Sequence, residues 1–256
     1  MSLLKLPVRY WAMHSSSFEE NLESNVRYVE RLWEIESSEL ALVLVDMWST
    51  HAWKSHLERS SMIMAKAVAP AIEAARRARV CVVHAPAPVA ALKYPARMRF
   101  AESADANPHE SEYDEWPPQE FRLRSGQWER FGFVPPMEPP VVAEAEDIAD
   151  SVRPAAGDVV AATGMQLHRV LKSEGILHVL YAGFATNSCV ILRDYGMIDM
   201  RRRGYNTMLL RDCTTAIENS ATIADEGMTK YAVMDIERSS ATATSAAFVE
   251  ACETAT

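Results

Sequence analysis

Cys189 closes the segment Gly183-Phe184-Ala185-Thr186-Asn187-Ser188-Cys189, which follows an apolar run and leads into a helical pattern. A thiol at the first turn of a helix faces unpaired backbone N–H groups and the positive end of the helix dipole. Both favour the thiolate, which is the nucleophilic form. The same N–H groups can hold the oxyanion of a tetrahedral intermediate. On this reading Cys189 is the thiol that alkylates fastest at neutral pH; the alternative is a structural thiol. Asp46 ends the apolar run Leu40–Asp46 and His84 ends the run Val80–His84, so a carboxylate and an imidazole stand at the ends of two strands. Both residue types serve as general bases.

The elements that must position these residues alternate short β-branched runs with helical patterns, the mark of βαβ units and a parallel sheet. Leu40–Asp46 reads as a central strand buried on both faces. Met62–Arg79 reads as a helix and Val80–His84 as the next strand. A weaker strand at Asp158–Ala162 precedes a helix at Met165–Ser173. Ile176–Ala182 is a strand that feeds a helix from Cys189 to Arg203, and Asn206–Arg211 is another. A helix over Ala221–Arg238, a short strand at Ser240–Thr244 and a terminal helix complete the pattern. In such a sheet ligands bind beyond the carboxyl ends of the strands, where Asp46, His84 and residues 183–189 fall. The chain reads as a single domain, 1–256, with an added arm at 1–39. A Pro-rich insertion at 85–156 contains Pro135-Pro136 and Pro139-Pro140. So long an irregular stretch suits a lid or a subunit contact, and its Trp116 and Trp128 favour a homo-oligomer.

At 256 residues with 48% hydrophobic and 24% charged residues, the composition is that of a soluble globular protein. No apolar run approaches the roughly 20 residues of a membrane span, and residues 1–16 do not resemble a signal peptide. The net charge is −9, with the signs interspersed and only Arg201–Arg203 tightly basic, which argues against nucleic acid as a partner. Four cysteines without C-x-x-C spacing read as reduced thiols, placing the protein in the cytoplasm.

Gly-Phe-Ala-Thr-Asn-Ser-Cys-Val, followed by Arg-Arg-Gly-Tyr and Leu-Leu-Arg-Asp-Cys-Thr-Thr-Ala, resembles the nucleophile segment of isochorismatase-like cysteine hydrolases. Ala-Leu-Val-Leu-Val-Asp-Met-Trp resembles the family's first strand. The resemblance covers about residues 38–84 and 154–252. It implies a three-layer α/β/α fold with a six-stranded parallel sheet in the order 3-2-1-4-5-6. It also implies an Asp–Lys–Cys triad acting on small amides through a thioester. Asp46 would be the general base and Cys189 the nucleophile. The N–H groups of Ala185 and Cys189 would form the oxyanion hole, with a cis peptide between Phe184 and Ala185.

The triad lysine is missing: Thr163 stands at its position, and neither Lys172, Lys54 nor Lys93 is an obvious substitute. The sequence is closer to a lysine-lacking branch, to which Asp46-Met47-Trp48, His51 and His84-Ala85-Pro86 correspond. His84, in a strand beside that of Asp46, is the expected stand-in; the alternative is that it merely caps its strand with a hydrogen bond to backbone or water. Arg193, one turn after Cys189, could hold a substrate carboxylate or pair internally with Asp46 or Asp194. Trp48, His51 and Thr186 are candidate substrate contacts, although Trp48 and Trp53 could equally be packing. His51, His56 and His84 could bind zinc, but the family's Asp-x-His metal motif is absent and no cofactor is expected. The leading function is hydrolysis of a small amide, ureide or related acyl compound. A binding or assembly protein that has lost catalysis is the alternative. An isochorismatase proper, cleaving a vinyl ether, would not need Cys189.

Overall fold

A computed structural model describes residues 2–101, 116–132 and 146–255. Eight strands form one sheet: β1 (Leu3–Met13), β2 (Val26–Glu36), β3 (Leu40–Val45), β4 (Cys81–Ala85), β5 (Val159–Val160), β6 (His178–Phe184), β7 (Asn206–Thr215) and β8 (Ala241–Ala243), in the order β2-β1-β8-β7-β6-β3-β4-β5. The last six strands in sequence pair in parallel throughout. Numbered among themselves they run 3-2-1-4-5-6, the expected order. The arm supplies the two extra strands. β1 and β2 form an antiparallel hairpin that joins the β8 edge through Arg9 and Thr242.

β3 explains the three layers. All six of its residues are buried, and successive side chains point to opposite faces. Leu40, Leu42 and Leu44 enter a core with Val68, Ile72 and Phe248. Ala41, Val43 and Val45 enter a second core with Leu167, Val170 and Ile236. The first face carries helices Lys54–Ile63, Ala69–Arg77 and Ser245–Glu253, and the second carries Gly164–Ser173, Cys189–Leu192, Met197–Arg202 and Gly227–Glu237. The expected helix at Met62–Arg79 starts earlier, at Lys54, and passes through one π-turn, Met64–Val68. The turn lies just before Pro70, which has no N–H to continue the ladder.

The helix expected from Cys189 to Arg203 is two short pieces separated by residues 193–196. Partners from outside hold one side chain and one carbonyl there. The Gly164 N–H donates to the Asp194 carboxylate at 2.6 Å, and the Tyr181 hydroxyl donates to the Tyr195 carbonyl at 2.9 Å. Gly164 and Asp194 touch so closely that a Cβ at Gly164 would lie 2.1 Å from the Asp194 carbonyl oxygen. Gly164→Ala is therefore expected to lower stability by about 1–3 kcal/mol, the scale of overpacking. A thermal melt within a degree of the parent would show that the segment can yield.

The described parts of the insertion include helices Pro88–Ala91 and Gln119–Arg122 and an aromatic cluster of Phe121, Trp128 and Phe131. Trp116 is exposed. Pro135-Pro136 and Pro139-Pro140 lie outside the described residues. Where the insertion returns, Ile148 bridges Trp48, Ser49 N–H donates to the Asp147 carbonyl and Ala149 N–H to that of Met47. The chain after residue 145 is thereby fastened to the loop that follows β3.

Candidate active site

Asp46 follows β3 with φ 44°, a left-handed conformation that Asp tolerates better than most residues. It turns the chain so that Met47 enters the core while Trp48 and His51 border a pocket of about 420 Å³. β6 approaches β3 closely at the facing strand end. Gly183 has φ 136°, and a Cβ there would lie 2.0 Å from the Val45 carbonyl oxygen, so only glycine fits. The peptide after it, Phe184–Ala185, is cis, as the resemblance implies. The turn delivers Ala185, Ser188 and Cys189 to the pocket, which Arg193, Ala87 and Glu146 also line.

Asp46 is 1% exposed, and burial pushes its carboxyl up to about 6, against the pull of the Arg193 cation and of a hydrogen bond from the Cys189 thiol. Arg193 Nε lies 3.8 Å from Asp46 Oδ2, an oxygen that accepts no hydrogen bond. The Tyr195 hydroxyl donates to Oδ1 at 3.5 Å, the long limit of a hydrogen bond. Burial pushes the Cys189 thiol up to about 11, and the neighbouring Asp46 anion adds to the rise. The expectation of a thiolate stabilised by a helix N-terminus is thus corrected: the helix Cys189–Leu192 is a single turn, and the Asp46 anion acts on the thiol more strongly than the Arg193 cation. Burial raises Cys81 and Cys252 further, to about 12, and Cys213 well above its usual value. Cys189 remains the least suppressed thiol and the one that lines the pocket.

Thr186 N–H donates to the Thr215 carbonyl, and those of Ser188 and Val190 both donate to the Ala185 carbonyl. Among the described residues, Ala185 and Cys189 make no such turn bond, which leaves their N–H groups for a ligand oxygen.

The structure separates two expected residues from this group. His84 does not face Asp46; its Nε2 lies 3.2 Å from Asp158 Oδ2, on the Arg76 side of the sheet. Burial lowers its pKa, so at neutral pH it is an uncharged imidazole donating to Asp158. His84→Gln is accordingly expected to leave turnover within a few-fold of the parent; a hundredfold loss would restore it to the site. Thr186 is fully buried, with Oγ1 2.6 Å from Thr214 Oγ1, and ties the turn to β7 rather than lining the pocket. Thr163, at the lysine position, caps the helix Gly164–Ser173 by accepting from Gln166 N–H. His51 lines the pocket and accepts the Trp53 N–H at Nδ1. His56 is buried behind it, and burial lowers its pKa to about 4. Among the described residues no group of three or more His, Cys, Asp or Glu could hold a metal ion. Nor is any helix there long and apolar enough to cross a membrane.

Two residues of the site went unread in the sequence. Tyr195 was assigned to a continuous helix, although Gly196 beside it signals a break. Glu146 sits in the aperiodic insertion, where no pattern singles it out.

The model of the Isochorismatase domain matches residues 40–246. The chain belongs to the isochorismatase family. The match begins at β3, so the β1–β2 hairpin stands outside it. A cysteine hydrolase from Pseudomonas syringae pv. phaseolicola 1448A shares the fold with a TM-score of 0.56 at 16% identity, over 86% of this chain and 95% of its own. An isochorismatase-like hydrolase from Alkaliphilus metalliredigens gives 0.53 at 18%, over 83% and 98%. An isochorismatase family protein from Burkholderia thailandensis gives 0.51 at 18%, over 85% and 97%. No curated protein matches the chain.

Proposed function

We propose that this isochorismatase-family protein is a cysteine hydrolase that cleaves a small amide, ureide or related acyl compound through a thioester at Cys189. The observation that carries the reading is that a thiol and a guanidinium, Cys189 and Arg193, line one pocket while the buried Asp46 carboxylate stands against both. Asp46 takes the thiol proton as sulfur attacks the acyl carbon. The Ala185 and Cys189 N–H groups hold the oxyanion. Protonated Asp46 then gives its proton to the departing nitrogen, and the C–N bond breaks. Water, deprotonated by Asp46, attacks the thioester and releases the acid and the thiol. Arg193 supplies a cation beside the pair without entering proton transfer, because it stays protonated throughout.

The thiol never needs to be a thiolate at rest, since Asp46 removes its proton only as the bond forms. The competent state holds one proton on the pair, with Asp46 ionised and Cys189 protonated. Turnover should therefore fall as pH drops through about 6 and again as it rises through about 11, both values belonging to the pair. A panel of small amides and ureides assayed for amine or ammonia release from pH 5 to 10 tests this. Release that persists undiminished at pH 5 contradicts Asp46 as the base. Exposed Trp116 supports extending the reading to a homo-oligomer, which light scattering would detect.

A further inference from the structure

The pocket lining holds one cation, Arg193, and one carboxylate, Glu146. Arg193 is paired with Asp46, which consumes one charge of each sign. Glu146 remains. It lines the pocket, its carboxylate is close enough to push the Asp46 carboxyl upward, and it makes no ion pair among the described residues. Its position is fixed from both sides: Lys93 Nζ donates to its backbone carbonyl at 2.6 Å, and the next residues are fastened to the loop after β3 through Asp147 and Ile148. Much of the remaining wall is apolar, among it Trp48, Ala87, Leu192 and Ile217. Lys93 binds the Glu146 backbone carbonyl and not, among the described residues, the Glu146 carboxylate, so the carboxylate can attract a positive group in whatever occupies the space.

We infer that Glu146 sets the specificity of the site, and that the substrate is an amide or ureide carrying a cationic group, an amine or guanidine, away from the scissile carbonyl. This rests on the hydrolase reading for the reaction but not for the ligand's charge. Of the two sequence-based expectations for Arg193, a substrate carboxylate or an internal pair with Asp46 or Asp194, the structure shows the pair with Asp46. Trp48, which also lines the pocket, adds an aromatic wall that favours a cation further.

The test needs no substrate. Methanethiosulfonates bearing a trimethylammonium, a methyl or a sulfonate group each form a mixed disulfide with a thiol and release methanesulfinate. Their rates at Cys189, each divided by the rate with a small free thiol, report the pocket's charge. The cationic reagent should exceed the anionic one by at least tenfold, and Glu146→Gln should reduce that preference about fivefold, with Glu146→Lys inverting it. The neutral reagent should react alike in all three proteins, which shows that the variants remain folded. Equal rates for the charged reagents, or a preference undiminished in Glu146→Gln, would overturn the inference. Failure of the hydrolase reading would show separately, as a cation preference in a protein that hydrolyses no amide.

Discussion

Asp46→Asn is expected to make the protein more stable at neutral pH and to abolish its turnover. Burial raises the Asp46 carboxyl from 3.8 to about 6. The ionised form is therefore disfavoured in the folded state by about two pKa units, or roughly 3 kcal/mol. The sign follows from the direction of the shift. Below pH 4 the carboxyl is protonated in both states and costs nothing. Between about 4 and 6 the unfolded chain ionises first and the cost accumulates; above 6 it is constant. An asparagine removes it, offset in part because Arg193 loses its partner, so a gain of roughly 1–3 kcal/mol is expected at pH 7 and none at pH 4. Turnover should fall by at least 10²-fold, the scale for an acid–base residue. With the anion gone, the pH midpoint of Cys189 alkylation should drop below about 11. Chemical denaturation at the two pH values, with an iodoacetamide titration, reads all three effects. A less stable Asn variant would mean that the carboxylate is held by bonds that outweigh its burial.

Arg193→Gln is the second large effect. The guanidinium favours the charged forms of both Asp46 and Cys189. Its loss should move the acid limb of turnover above about 6 and suppress alkylation of Cys189 at pH 8 by about tenfold, one pKa unit. Turnover should fall by roughly 10² or more, with Arg193→Lys recovering part of both effects because a charge is restored at a different reach. Its side chain is 42% exposed, so the cost in stability should be small. If the Gln variant loses turnover but keeps the parental alkylation profile, Arg193 binds substrate and does not tune the pair.

Most of the parallel strands were legible because they hold short apolar runs with both faces buried, β3 above all, and because the turn into Cys189 carries a distinctive set of residues. The hairpin was seen only as an arm. β2 alternates charged and apolar residues, Arg27, Glu30 and Glu34 among Val29, Trp33 and Ile35, without a buried run to mark it. Position along a strand placed Asp46, but it could not tell that the His84 side chain turns toward Asp158. That depends on the face to which an alternating strand presents each residue. Arg193 reaches Asp46 only because the helix breaks after Leu192, and the causes of the break are remote in sequence: Gly164 holding Asp194 and Tyr181 holding Tyr195. Glu146 depends on where a long insertion returns to the sheet, which no local pattern encodes.

The central claim is that the Cys189 sulfur becomes acylated during turnover. Its most direct measurement is intact mass of the protein quenched in acid during steady-state hydrolysis of whichever amide in the panel releases amine, followed by peptide mapping. A mass increase equal to the acyl group, located on the peptide containing Cys189, discharged by hydroxylamine and absent from an inactive Cys189→Ala variant, is the predicted result. Steady turnover by Cys189→Ala, or an adduct on any other residue, would contradict the account.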